Sequence, residues 1–157
     1  MPWARRAART RDYLSLMKHL WTDDVPRYEG THHSIPDCVF GPRPAQKPHP
    51  PIYFGGNSEP ALRRIVEMGE GWYGHDMLPD EAGARLQRLH ELLRRAGRPI
   101  EEVRTIMSPF FKPVTQDDLL RYRDLGFAEV LLPLVAQQRG ALERRADELA
   151  ALVRSLD

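Results

Sequence analysis

Cysteine is almost absent from this sequence, since Cys38 is the only one among 157 residues. A single cysteine cannot form an intramolecular disulfide, and this usage suits a reducing compartment. Long apolar runs are also missing, because no stretch approaches the roughly 20 residues that a membrane-spanning helix needs. The N-terminal region lacks the apolar segment of a signal peptide. The net charge is only +1, which gives no electrostatic reason to expect binding to nucleic acid or to an anionic membrane. A soluble cytoplasmic protein is therefore expected.

Metal-binding patterns are equally scarce. The histidines that invite such an interpretation are His32, His33 and His49. Neighbouring residues of a strand point to opposite faces, and no cysteine or carboxylate spacing completes a ligand set. The sequence therefore predicts no metal site.

The most informative stretch runs from Pro51 to Gly74 and predicts a strand, a glycine turn, a helix and a second short strand. Bulky β-formers precede Gly55-Gly56, where two residues without Cβ end the strand and permit positive φ. Asn57 or Ser58 can cap the following helix, and Pro60 is tolerated in its first turn. The spacing alone leaves two interpretations open: a plain tight turn, or a phosphate cradle at a helix N-terminus.

The remaining chain predicts an α/β architecture within a single domain, 1–157. Residues 10–21 have the apolar periodicity of a helix with Thr10 as its cap, and residues 22–50 form a proline-rich arm with two short strands around a turn. Residues 51–157 alternate apolar strands with amphipathic helices in four βα units, which favours a parallel sheet. The strands after Gly74 are predicted at 103–111 and 129–135. Four units are half of a (β/α)8 barrel, which usually needs about 250 residues.

Two segments closely resemble the bacterial luciferase-like monooxygenase superfamily, especially its flavin- and deazaflavin-dependent oxidoreductases. They read RRAARTRDYLSLMKHLWTDDVPRYEGTHHSIPD and GPRPAQKPHPPIYFGGNSEPALRRIVEMGEGWY. The resemblance is specific in residues 11–74 and implies a (β/α)8 (TIM) barrel fold. Two departures are visible: Glu70 stands where the family usually has Asp, and the chain aligns with the C-terminal half of the barrel only.

The resemblance also implies a site for coenzyme F420 or, alternatively, FMN. Gly55, Gly56, Asn57 and Ser58 are expected to contact the phosphate-bearing tail of the cofactor. Trp72 matches a family position near the cofactor, although a place in the barrel core is equally compatible. In the following loop, His75 and Asp76 either act as acid and base or form a solvated pair, so the catalytic residues stay unassigned.

The implied activity is hydride transfer or oxygenation of a small organic substrate. The alternative is a non-catalytic half-barrel module, or a fragment that needs a partner, which binds a phosphate-bearing ligand without redox activity. Because a half barrel exposes unpaired strand edges, the chain is expected to be a truncated fragment, to form a homodimer, or to need a complementary N-terminal half.

Overall fold

The computed structural model describes residues 5–156, and the chain divides into two compact units, Met1–Pro50 and Pro51–Asp157. The first unit contains one helix and a two-stranded antiparallel hairpin, in the order α1 (Arg6–Thr22), β1 (Tyr28–Glu29) and β2 (Ser34–Ile35). The hairpin confirms the predicted turn between two short strands. The helix begins earlier than predicted: Thr10 is not its cap but lies inside it, where its hydroxyl donates to the Arg6 carbonyl oxygen at 2.9 Å.

A buried carboxylate connects this helix to the hairpin turn. Asp12, 8% exposed, accepts hydrogen bonds from the Tyr28 hydroxyl at 2.9 Å and from the backbone N–H groups of Thr31 and His32, each at 3.0 Å. The oxygen that accepts from His32, Oδ2, also lies 2.9 Å from Nδ1 of His33. Burial alone would raise the pKa of Asp12, but the four hydrogen bonds outweigh it and hold that pKa below its usual range. One side chain thus fixes the whole turn.

The second unit is a four-stranded parallel sheet with helices between the strands. Its strands follow the order β3-β4-β5-β6 in space as in sequence. The elements are β3 (Tyr53–Gly55), α2 (Glu59–Met68), β4 (Gly71–His75), α3 (Pro79–Arg95), a 3-10 turn (Ile100–Glu102), β5 (Arg104–Ser108), α4 (Gln116–Leu125), β6 (Glu129–Val130) and α5 (Arg139–Arg154). The predicted order of strands and helices is confirmed.

One face of this sheet forms the core with the helices. Because successive residues of a strand alternate between faces, Trp72 and Gly74 share a face with Phe54 and Met107, their neighbours in register. All four are buried. The opposite face carries Tyr53, Tyr73 and His75 of β3 and β4. The core is completed by apolar side chains of α2, α3 and α4, among them Leu62, Ile65, Leu86, Leu89, Leu93, Leu119 and Tyr122.

Local signals set several element ends as predicted. Thr115 and Asp118 form a reciprocal capping box at the start of α4, and Gly126 ends that helix at φ 91°. The predicted strand 129–135 is shorter in the structure, since only Glu129 and Val130 pair with β5. Pro133 has no N–H to donate, which ends a ladder.

The last helix, α5, has an apolar stripe but no buried residue. Val153 on this helix is 55% exposed. No helix among residues 5–156 is long and apolar enough to cross a membrane.

Candidate functional site

The four strands of the second unit run in parallel, so their carboxyl ends lie at one edge of the sheet. The segments that follow the strands at this edge are 56–58, 76–78, 109–115 and 131–138. In parallel α/β folds, ligands bind outside the carboxyl ends of the strands, because the connecting loops meet there. This edge is therefore the candidate site.

The glycine turn at the end of β3 leaves backbone accessible. A Cβ built on Gly55 would have the Tyr73 carbonyl oxygen at 4.0 Å as its nearest neighbour, so the glycine faces open space. Gly56 has φ 106°, a conformation that residues with a Cβ rarely adopt. Ser58 then stands at the N-cap of α2, and no capping hydrogen bond from a side chain is found within the described chain. The turn thus presents free space and a helix N-terminus together.

Asn57 connects the glycine turn to the next loop. Its Nδ2 donates to the backbone oxygen of His75 at 2.7 Å, and the backbone N–H of His75 donates to Asn57 Oδ1 at 3.3 Å. This pair of bonds continues the pairing of β3 with β4 beyond the last residue of β3. The Asn57 side chain is therefore engaged in positioning the two loops.

Trp72 supports the glycine turn from the core. Its side chain is fully buried on the helix-covered face, 5.9 Å from the Phe127 ring centre, and its Nε1 donates to the Gly56 carbonyl oxygen at 3.0 Å. Of the two roles that the sequence leaves open for Trp72, this position supports packing in the core. Its effect on the site edge is indirect, through the backbone of Gly56.

The second and third loops are joined by two hydrogen bonds. The Asp76 N–H donates to the Ser108 carbonyl oxygen at 2.8 Å, and Lys112 Nζ donates to the Asp76 carbonyl oxygen at 2.6 Å. Lys112 also lies 3.5 Å from the Glu81 carboxylate and 3.8 Å from that of Asp76. The loops after β3, β4 and β5 therefore form one connected surface.

A cavity of about 430 Å³ lies beside this surface and is lined by Asn57, Met77, Glu81, Ala84 and Arg85. The nearby carboxylate of Glu59, in the first turn of α2, is held by Arg88 of α3 at 2.6 and 3.0 Å. The hydrogen bonds from Arg88 keep the pKa of Glu59 below its usual range. The negative charge nearest the helix N-terminus is thus paired.

The structure brings the predicted residues Gly55, Gly56, Asn57 and Ser58 together at one edge, with Trp72 beneath them. It also places His75, the last residue of β4, next to Asn57, and Asp76 follows as the first residue of the next loop. The sequence placed Lys112 in the loop after the third strand, but sequence reasoning missed Phe110 and Ser108 as members of this surface. The predicted strand 103–111 includes Ser108 and Phe110, whereas the strand ends at Ser108 in the structure. Strand patterning does not show which side chains turn toward the neighbouring loop. Within residues 5–156, no group of three or more His, Cys, Asp or Glu side chains could hold a metal ion.

Comparison with known proteins decides the family. The sequence model of the luciferase-like monooxygenase family matches residues 1–151. The chain belongs to this family. An uncharacterised protein of Mycobacterium bovis is 32% identical over 159 residues, which cover 99% of this chain and 51% of that protein. An F420-dependent glucose-6-phosphate dehydrogenase of Microbacterium testaceum is 31% identical over 104 residues, which cover 65% of this chain and 30% of that enzyme.

Solved structures agree on the fold. The monooxygenase RslO1 of Streptomyces bottropensis is similar over 99% of this chain and 44% of its own, with a TM-score of 0.58 and 19% identity. The four-stranded parallel sheet with its helices has the fold of part of a luciferase-like (β/α)8 barrel enzyme, as the family resemblance predicts. The chain spans about half the length of the curated relatives that it matches over most of its sequence.

Proposed function

We propose that this chain is the cofactor-binding part of a luciferase-like oxidoreductase that uses coenzyme F420, with FMN as the alternative. The observation that carries the proposal is the turn 55–58, which joins open backbone to a helix N-terminus at the carboxyl edge of the sheet. Membership of the family supports an oxidoreductase, and the F420-dependent relative favours the deazaflavin. The single free cysteine, Cys38, is in keeping with a cytoplasmic location.

The residues of the turn fit a phosphate-bearing tail. Gly55 leaves a space that a Cβ would fill, and the backbone N–H groups at the start of α2 attract anions. Ser58 adds a hydroxyl, and Arg85 adds a cation in the lining of the adjacent cavity. Asn57 and Trp72 hold the turn in place through their hydrogen bonds to His75 and Gly56, and both stay candidates for contact with the cofactor.

When bound, the cofactor would supply hydride transfer or, with reduced FMN, oxygen chemistry. The residues of this chain would bind its tail and orient its ring toward a small organic substrate. No residue is assigned to acid–base catalysis, and His75 and Asp76 stay candidates because they lie at the end of β4 on the site edge.

The test is a titration of the purified chain with coenzyme F420 and, separately, with FMN. Tryptophan fluorescence is a suitable signal because Trp72 donates directly to Gly56 of the turn. We expect saturable quenching with one of the two cofactors at micromolar concentration. Absence of saturation with both cofactors would contradict the proposal.

A pair of glycine variants separates binding from folding. Gly55→Ala places a Cβ in the open space with the Tyr73 carbonyl oxygen at 4.0 Å as its nearest neighbour, so we expect at least a tenfold loss of cofactor affinity with little change in stability. Gly140→Ala, in α5, is the matched control and should bind like the unmodified chain. Equal binding by both variants would argue against the turn as the tail site.

The second candidate is a non-catalytic barrel module that needs a partner. The observation in its favour is that β3 pairs only with β4, and β6 only with β5, within the described residues. A second copy of the chain, or a complementary N-terminal half, could supply strands to both edges. Light scattering on the titrated sample distinguishes the cases: a dimer that binds cofactor supports self-completion, and a monomer that binds no cofactor supports the module.

A further inference from the structure

An exposed aromatic cluster stands on the site edge beside the glycine turn. The rings of Phe110 and Phe111 have centres 4.3 Å apart, and the His75 ring lies edge-on to Phe110 at 6.2 Å. Phe110 is 46% exposed and Phe111 65% exposed. These three residues, the aromatic cluster, join the loops after β4 and β5 into one apolar surface.

The backbone under the cluster is held in an unusual conformation. Asp76 and Phe110 are the non-glycine residues with positive φ in the described chain, each at 57°. Phe110 is held there by its N–H, which donates to the buried Ser108 hydroxyl at 3.3 Å, and Asp76 by its bond to the Ser108 carbonyl oxygen. Strained backbone of this kind concentrates at ligand-binding sites. Phe110 is itself a member of the aromatic cluster, and Asp76 directly follows another member, His75.

The charge on this edge is internally balanced. Asp76 and Lys112 are the only Asp, Glu, Lys or Arg residues in segments 55–58, 75–78, 109–115 and 131–138. Lys112 donates to the Asp76 backbone and lies near two carboxylates, as described above. The only cation that an anionic substrate would meet in these segments is Lys112, whose charge is already neutralised by the carboxylates of Asp76 and Glu81. An uncharged apolar ring would meet exposed aromatic side chains, on which it can stack favourably.

We propose that His75, Phe110 and Phe111 form the substrate-binding surface and that the substrate is an uncharged aromatic or strongly apolar organic molecule. The proposal rests on the proposed function, since it places the substrate beside the turn that would hold the cofactor tail. It adds the chemical class of the substrate and the residues that select it.

The experiment uses the full chain labelled with 4-fluorophenylalanine and observed by fluorine NMR. The sequence has five phenylalanines, so five signals are expected. Phe110→Leu and Phe111→Leu assign the two cluster signals by their disappearance, and Phe40 in the first unit is the internal control. The probes are 2-naphthol, an uncharged aromatic, and glucose 6-phosphate, an anion without an aromatic ring.

We expect 2-naphthol to shift the Phe110 and Phe111 signals saturably, with affinity at least tenfold weaker in Phe110→Leu. Glucose 6-phosphate should leave both signals in place. The proposal is overturned if 2-naphthol leaves them unshifted up to its solubility, if glucose 6-phosphate shifts them equally, or if they move with protein concentration alone. The last result would mean that a second copy covers the cluster.

The outcome is separable from that of the cofactor titration. Binding of 2-naphthol at the cluster in a chain that binds neither cofactor would support the apolar surface and contradict the proposed function. Cofactor binding without any response of the two cluster signals to 2-naphthol would support the proposed function and contradict the proposed substrate surface.

Discussion

Replacement of Tyr122 by phenylalanine should loosen the loop after β4 and change the response of stability to alkaline pH. The Tyr122 side chain is fully buried in α4, and its hydroxyl donates to the Met77 carbonyl oxygen at 2.6 Å. Tyr122→Phe keeps the ring but leaves that buried carbonyl without its donor, which costs about 1–3 kcal/mol. Because Met77 follows His75 and Asp76 directly, the loss falls on a loop of the candidate site.

The pH dependence follows from the pKa of the phenol. Burial, followed by the nearby carboxylates of Asp118 and Glu81, raises the pKa of Tyr122 to about 12. The folded state therefore favours the protonated phenol, whose ordinary pKa is about 10. This stabilisation is complete below about pH 10 and is lost as the pH rises toward 12. From about pH 8 to about pH 11.5 the loss amounts to roughly 2 kcal/mol.

The assay is urea unfolding of the original chain and of Tyr122→Phe, followed by circular dichroism at several pH values. We expect Tyr122→Phe to unfold at a lower urea midpoint at neutral pH, with an unchanged dependence of the free energy of unfolding on urea concentration. The difference in free energy of unfolding between the original chain and Tyr122→Phe should narrow as the pH rises. Tyr13→Phe is the matched control, since Tyr13 is 42% exposed and should give little change. A gap that stays constant between about pH 8 and about pH 11.5 would refute the reasoning on burial of the phenol.

Two further predictions concern the hairpin turn of the first unit. Asp12→Asn should lower stability at neutral pH. The difference in stability from the original chain should shrink as the pH falls through the lowered pKa of Asp12, since protonation of Asp12 removes the same charge. Thermal unfolding measured at decreasing pH tests this, and a stability difference that does not change with pH would contradict it. Gly30→Ala should disrupt the turn because its Cβ would lie 2.1 Å from Asp12 Oδ1 and 2.5 Å from the Tyr28 ring; thermal unfolding should show a clear loss of stability. Gly140→Ala is the control, with its nearest neighbour at 3.6 Å, and is expected to be neutral or slightly stabilising.

The architecture of the second unit was predictable because its signals are local. The capping box joins Thr115 to Asp118, three residues apart, and Gly126 supplies the left-handed residue that ends α4. Alternation of apolar strands and amphipathic helices predicts a parallel sheet, and the strand order confirms it. The resemblance in residues 11–74 added the family, which neither composition nor periodicity could supply.

The contacts that build the site were decided by the tertiary structure. Asn57 meets the backbone of His75 across 18 residues, and Lys112 meets that of Asp76 across 36. Such pairs depend on strand register and on the direction in which each loop leaves the sheet, which sequence spacing does not contain. The same holds for Trp72, whose aromatic type suits a binding surface or a core equally well.

The sequence by itself determined the order of the elements, the turn at Gly55-Gly56 and the family. Only the tertiary structure showed that Trp72 lies on the helix-covered face, that Asp12 organises a hairpin, and that Phe110 stands exposed with positive φ. The physical reason is the distance along the chain over which each signal acts. Caps, glycine turns and periodicity act within a few residues. Burial, loop-to-loop hydrogen bonds and charge compensation arise only when distant segments pack.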